Sequence, residues 1–141
     1  MKLFFDTNLF IYLWEGEKSP RAEQVRLILG ALRRANGALA TSTLSLAEIL
    51  VHPLREGAHD TIESYIEQFQ RLELIAFDAT CSLYFAEIRA RHPTVKPPDA
   101  IQLACARRAG CDWFLTNDSR LSALAIPGIG RCASFESFPT D

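Results

Sequence analysis

A chain of 141 residues, 48% hydrophobic and 23% charged, has globular composition and room for one domain with a full core. Its 15 basic and 17 acidic residues leave a net charge of −2, which excludes a protein that coats nucleic acid through bulk positive charge. A nuclease with an acidic centre and a basic rim remains compatible with that balance. Arg outnumbers Lys 12 to 3. The guanidinium fork suits phosphate, although base composition alone produces the same skew. Cys81, Cys105, Cys111 and Cys132 show no close CxxC pairing, and with 3 His they support no zinc site. They read as reduced core thiols of an intracellular chain. No apolar run reaches the ~18 residues that span a bilayer. Asp6 and Asn8 interrupt the N-terminal apolar stretch, and no small-residue cleavage site follows Trp14. The reading is a cytoplasmic protein with no membrane segment.

The run Lys2 to Phe5, ended by Asp6, predicts a buried strand. Thr7 is placed to cap a helix through Trp14. Ser19 and Pro20 give the cap and first turn of a second helix, with Val25, Ile28, Leu29 and Leu32 as its apolar stripe and Asn36–Gly37 as its end. Ala38 to Thr41 is a weaker strand, followed by a helix from about Leu44 to Val51 that Pro53 closes. Asp60 begins an amphipathic helix carrying Ile62, Ile66 and Phe69. Leu74 to Phe77 is a third strand, and Asp78 caps a helix to about Arg91. Pro97 and Pro98 open the next helix, with Ile101, Ala104 and Cys105 inward and Gly110 as its stop. Trp113 to Thr116 is a fourth strand. A turn at Asn117, Asp118 and Ser119 leads to a short helix near Leu121 to Ala125, and Arg131 to Ala133 adds an edge strand. Strands alternating with helices predict a single α/β domain over residues 1–141, with a parallel sheet covered by helices on both faces.

On that frame four carboxylates converge. Asp6 sits at the carboxyl end of the first strand and Asp118 just past that of the fourth. Glu48 lies early in the helix leaving the second strand. Asp99 lies in the first turn of a helix that runs antiparallel to the fourth strand, so it starts at the same edge. This is the rim where open α/β sheets bind ligands. Taken singly, each acid has a structural explanation. Glu48 could close a capping box with Ser45, Asp99 could favour a positive helix end, Asp118 could be a turn residue, and Asp6 a loop cap. Together they repel, since two carboxylates ~4 Å apart do so by about 4 kcal/mol at an effective dielectric of ~20. An all-oxygen cluster without His or Cys suits Mg2+ or Mn2+.

The segments Leu3-Phe4-Phe5-Asp6-Thr7-Asn8, Ser45-Leu46-Ala47-Glu48-Ile49-Leu50, Pro98-Asp99-Ala100-Ile101-Gln102-Leu103-Ala104 and Phe114-Leu115-Thr116-Asn117-Asp118 closely resemble the PIN-domain ribonucleases, most of all the VapC-type toxins of type II toxin–antitoxin pairs. The resemblance spans nearly the whole chain, through motif order and spacing rather than any one motif. It implies a PIN-like, Rossmann-like parallel sheet and metal-dependent endonucleolytic hydrolysis of RNA phosphodiester bonds, leaving 5′-phosphate and 3′-hydroxyl ends. Asp6 and Asp99 would be the principal metal ligands, Glu48 and Asp118 would complete the catalytic acids, and Thr7, Asn8, Thr116 and Asn117 would be polar helpers. The implied partners are RNA, a cognate antitoxin and a second copy of the chain. The segment from His52 to Gly57 has no counterpart role in the resemblance.

Other features stay open between two readings. His52, one turn after Glu48, could face the site or simply the surface. Arg89, Arg91, Arg107 and Arg108 could flank a substrate groove or form solvated helix faces. The unbroken apolar run Leu9 to Trp14 is either an interface, for a homodimer or an antitoxin helix, or an enclosed core helix. Two rival functions fit the residues less well. A haloacid-dehalogenase-type phosphatase wants a second Asp two residues after the first, where Asn8 stands, and a receiver domain wants an acidic pair there and a Lys after its last strand, whereas the only lysines are Lys2, Lys18 and Lys96. A non-catalytic PIN-like binding module would lack one of the four acids, and none is missing.

Overall fold

A computed structural model describes residues 1–16 and 18–141. The first strand, β1 (Lys2–Phe5), leads into α1 (Thr7–Glu15), and α2 (Pro20–Arg34) returns the chain to β2 (Ala38–Ser42). Helices α3 (Thr43–Arg55) and α4 (His59–Gln70) connect to β3 (Glu73–Ile75). Helices α5 (Ala79–Arg91) and α6 (Pro97–Ala109) then carry the chain to β4 (Trp113–Thr116). A single turn, α7 (Ser119–Ser122), precedes β5 (Arg131–Ser134) and a closing 3-10 turn at Phe135–Ser137. The five strands are all parallel, in the order β3-β2-β1-β4-β5.

Alternation along β1 divides the interior into two cores. Leu3 and Phe5 point to the face covered by α1 to α4, where they meet Leu9, Phe10, Ile28, Ile49 and Phe69. Phe4 points to the other face and stacks on Phe114 at 5.6 Å, under α5 and α6 with Leu103, Ala104 and Cys105. The predicted parallel sheet with helices on both faces is the observed one. Gly110 ends α6 in the left-handed conformation expected of a helix stop, at φ 64°.

Two expectations change. Asp6, not Thr7, is the N-cap of α1. Pro53 does not close α3 but lies buried inside it, and the helix runs on to Arg55. A proline at this point forfeits only its own N–H bond to Ile49, and burial of its ring offsets part of that loss. The all-apolar helix after Thr7 is largely enclosed. Leu9 and Phe10 are buried, Trp14 stacks on Tyr65 at 4.7 Å, and Tyr12 packs on Phe135 at 5.6 Å. Ile11, Tyr12, Leu13 and Trp14 keep intermediate exposure, so this helix both joins the core and presents apolar surface to solvent. No helix among the described residues is long and apolar enough to cross a membrane.

The topology has one switch point. From β1 the chain moves to β2 on one side, and after β3 it crosses back to lay β4 on the other. The connections from β1 and β4 therefore diverge at their carboxyl ends and leave a crevice there.

Gly130 sets the last strand. Its N–H donates to the Cys111 carbonyl, and a Cβ there would run into the Asp112 carbonyl. Gly130→Ala should lower stability by about 1–3 kcal/mol. Gly30→Ala, inside α2 with only the mobile end of Arg34 nearby, should raise it by about 0.5–1 kcal/mol. Urea unfolding of both variants checks the pair, and equal effects at the two positions would contradict the packing described.

Candidate active site

Asp6 leaves β1 with extended backbone (φ −66°, ψ 156°) and is held by both central strands. Its N–H donates to Leu115 O at 3.0 Å. Its Oδ1 accepts from the Thr7 N–H at 2.8 Å, and its Oδ2 accepts from Thr116 Oγ1 at 2.8 Å. Glu48 is not part of a capping box, because Ser42 caps α3 and receives the Ser45 N–H at 3.2 Å. Instead Glu48 Oε1 accepts from the Thr7 hydroxyl at 2.6 Å. Asp99 stands half-buried in the first turn of α6. Asp118 follows β4 and caps α7, with Oδ1 accepting the Arg120 N–H at 2.8 Å and Oδ2 within 3.4 Å of the Arg120 guanidinium. The four acids share one open cleft of about 400 Å3 with Thr7, Asn8, Ile11, Val51, Pro98 and Gln102.

The carboxylates feel one another. Burial raises the Asp6 carboxyl from 3.8 to about 6, against the pull of Thr116 and the Thr7 N–H, and the negative charges of Asp99 and Glu48 add to the rise. Asp99 is also raised, first by burial and then by Asp118, while Arg120 and Lys96 oppose the rise. For Asp118, burial is outweighed by the hydrogen bonds from Arg120 and Leu121, and its pKa is lowered. Acids brought this close at the mouth of a cleft form a site with excess negative charge.

The polar neighbours divide. Thr7 and Asn8 line the cleft. Thr116 is buried, holds Asp6 and accepts the Asp118 N–H at 3.0 Å. Asn117 instead donates to the Tyr12 hydroxyl at 2.7 Å, tying β4 to α1 rather than facing the acids. His52 is exposed and does not line the cleft. Arg107 pairs with Glu87 at 2.7 Å and lies over the Tyr84 ring, Arg108 pairs with Asp78, and Arg89 donates to Val95 O. With Arg91, these side chains belong to the α5–α6 surface and not to the cleft. Sequence reasoning missed Gln102, buried three residues after Asp99, with Ser42, Ser45 and Thr41 around it. The available signal was a lone amide in an otherwise apolar helix face one turn from an acid.

An all-oxygen donor set fits a hard divalent cation. As they stand, no three His, Cys, Asp or Glu side chains among the described residues form a ready-made metal-binding group. Three of the four acids are already engaged, Asp6 by Thr116 and the Thr7 N–H, Glu48 by the Thr7 hydroxyl and Asp118 by Arg120.

This fold, with acids at the switch point, is that of a PIN domain. The PIN domain model matches residues 3–127, and the chain belongs to the PIN-domain family. It is similar in structure to a chain of VapBC2 from Rickettsia felis, solved with a DNA fragment from its promoter, with TM-score 0.70 and 22% identity over 95% of this chain and 98% of that one. It is also similar to a chain of DNA-bound VapBC from Salmonella typhimurium (TM-score 0.68, 26% identity, 96% and 98% covered). A third likeness is to a chain of FitAcB from Neisseria gonorrhoeae (TM-score 0.67, 18% identity, 96% and 99% covered). No curated protein sequence matches the chain significantly.

The raised Asp6 carboxyl makes a signed prediction. The folded state binds its proton more tightly than the unfolded chain does, so this residue's contribution to stability is full below about pH 4 and is lost as pH rises through about 6. A change from 3.8 to about 6 corresponds to roughly 3 kcal/mol. In EDTA at pH 7.5, Asp6→Asn should therefore be more stable than wild type by about 2–3 kcal/mol, with the gain vanishing near pH 4. Denaturant unfolding at the two pH values checks this, and a variant less stable at both contradicts it.

Proposed function

We propose that residues 1–141 act as one PIN domain that is a Mg2+- or Mn2+-dependent endoribonuclease, the toxin of a type II toxin–antitoxin pair in the cytoplasm. The observation that carries this reading is the set of four mutually repelling carboxylates, Asp6, Glu48, Asp99 and Asp118, in one cleft at the carboxyl edge of the sheet. Family membership supports a nuclease, and the solved relatives come from toxin–antitoxin complexes, which supports an antitoxin partner.

In this reading Asp6 and Asp99 are the principal ligands of the cation, and Glu48 and Asp118 complete the site. A divalent cation there supplies charge neutralisation at the scissile phosphate and a lowered pKa for water. Thr116 fixes the Asp6 carboxylate, and Thr7 holds Glu48. Arg120 and Lys96, close enough to Asp99 to oppose its charge, are the cations that meet neighbouring phosphates of the RNA. Antitoxin or a second copy would cover apolar surface, and α3 leaves Val51 and Leu54 exposed at 44% and 60% beside the cleft. A homodimer is part of the proposal.

Purified protein, cleared of contaminating nuclease, should cleave structured RNA in Mg2+ or Mn2+ and leave it intact in EDTA. Loss of an outer partner at a metal site costs about 10–100-fold, and a ligand more, so Asp6→Asn and Asp99→Asn should each lose at least about 100-fold. End-labelled RNA on a denaturing gel reads the outcome. Cleavage by Asp6→Asn at the wild-type rate contradicts the catalytic assignment. Tight RNA binding without cleavage by any preparation favours the non-catalytic binding module.

A further inference from the structure

Behind the four acids lies a second layer that the reaction chemistry does not require, a buried chain of hydroxyls centred on Gln102. The Gln102 side chain is 2% exposed. Its Nε2 donates to Thr7 Oγ1 and Ser45 Oγ, both at 2.9 Å, and its Oε1 accepts from Ser42 Oγ at 2.6 Å. Thr41 donates to Phe5 O at 2.8 Å, and Thr7 donates to Glu48 Oε1 at 2.6 Å. No buried side-chain polar atom among the described residues is left without a partner.

Donor counting fixes the direction of this chain. Ser42 Oγ already accepts the Ser45 N–H, so its one proton goes to Gln102 Oε1. That orients the amide with its nitrogen toward Thr7 and Ser45. The reversed amide would leave the Ser42 proton without an acceptor and would draw the Thr7 proton toward its own oxygen. With the nitrogen facing it, the Thr7 hydroxyl has an acceptor position filled by Gln102 and its single proton free for Glu48. Thr7 Oγ1 also lies 3.1 Å from Ser45 Oγ, but its one proton goes to the closer, charged Glu48 oxygen, and with the Thr41 proton on Phe5 O, Ser45 donates its own to Thr41 at 2.9 Å. Glu48 is the exposed member of the acid set, and the Thr7 hydroxyl ties it to the buried layer.

We propose that Gln102 is a positioning residue of the site: acting through Thr7, it holds one oxygen of Glu48 and leaves the other turned to the cation cleft. Gln102 touches neither substrate nor reacting atoms. It reaches the acids at second hand, from α6, the helix that also carries Asp99. One helix therefore supplies an acid directly and a second acid indirectly, and the β1, α3 and α6 contributions to the cleft are locked to one another. The inference rests on the metal-dependent reading above, since its consequence is a change in cation affinity.

The test uses Mn2+ alone as probe, with binding followed by electron paramagnetic resonance and by calorimetry, and with melting measured beside it. Gln102→Leu and Thr7→Val should each weaken Mn2+ binding by about tenfold or more, the range of outer partners at metal sites. The double variant should be no weaker than the worse single, because both remove one relay. Thr7→Ser, which keeps the hydroxyl, should recover most of the affinity lost in Thr7→Val. Should Gln102→Leu fail to fold, Gln102→Met keeps the side-chain volume, and the Thr7 pair tests the relay without touching the amide. Lower melting temperature with wild-type Mn2+ affinity would overturn the proposal and leave Gln102 a structural residue. Additive losses in the double variant would overturn it as well, since Gln102 would then not act through Thr7. Wild-type protein that binds no Mn2+ would overturn the metal-dependent reading and the relay with it, whereas unchanged binding in the variants overturns the relay alone.

Discussion

The arrangement depends on an ionisable side chain placed where water scarcely reaches. Asp6 follows the central strand and is 8% exposed, yet it has two neutral donors and no cation of its own. Two hydrogen bonds do not compensate its desolvation, so its carboxyl is held up near 6. The charges that act on Asp6 are the negative ones of Asp99 and Glu48, while the cations Arg120 and Lys96 act on Asp99. A purely structural position would have been relieved by Asn or by a nearby Lys. In the proposed reading, this uncompensated charge at the sheet switch point serves a cation, at a cost to the stability of the metal-free chain.

Topology explains how acids so far apart in sequence meet. Parallel strands force every crossover helix to begin or end at the carboxyl edge, and the reversal of strand order at β1 opens the crevice there. Two caps, one first turn and one second turn then deliver four carboxylates. Asp6 caps α1, Asp118 caps α7, Asp99 enters with α6, and Glu48 projects from α3. The local explanation and the functional one are thus not rivals for Asp6 and Asp118. A cap fixes the carboxylate's backbone, and a fixed backbone is what a preorganised site needs.

Much of this is legible in the residues. Lys2–Phe5 and Trp113–Thr116 read correctly because each is a short apolar run with turn-forming residues at its end, and Ser19-Pro20 and Gly110 mark helix limits by backbone chemistry alone. Errors arise where distant packing decides. Pro53 reads as a stop, but burial against α4 keeps α3 going. The apolar run Leu9 to Trp14 is covered in part by Tyr65, Phe69 and Phe135, contacts that no local pattern shows. The acids are visible because charge at strand ends is conspicuous. Gln102 is not, since a single amide between alanines and leucines gains its meaning only when Ser42 and Thr7 are brought beside it.

The central claim of the proposed function is that these mutually opposed acids hold a divalent cation. Thermal melts in EDTA and in a Mg2+ titration at matched ionic strength test it directly, on wild type and Asp99→Asn. At ten times its dissociation constant Mg2+ stabilises the wild type by RT ln 11, about 1.4 kcal/mol. For a domain near this size that is a rise of ~3–6 °C. The account predicts a much smaller rise for Asp99→Asn and, in EDTA, stability equal to or above wild type. A variant that loses about 0.3–1 kcal/mol in EDTA, as a helix-end charge alone would, and keeps the full Mg2+ response would contradict it.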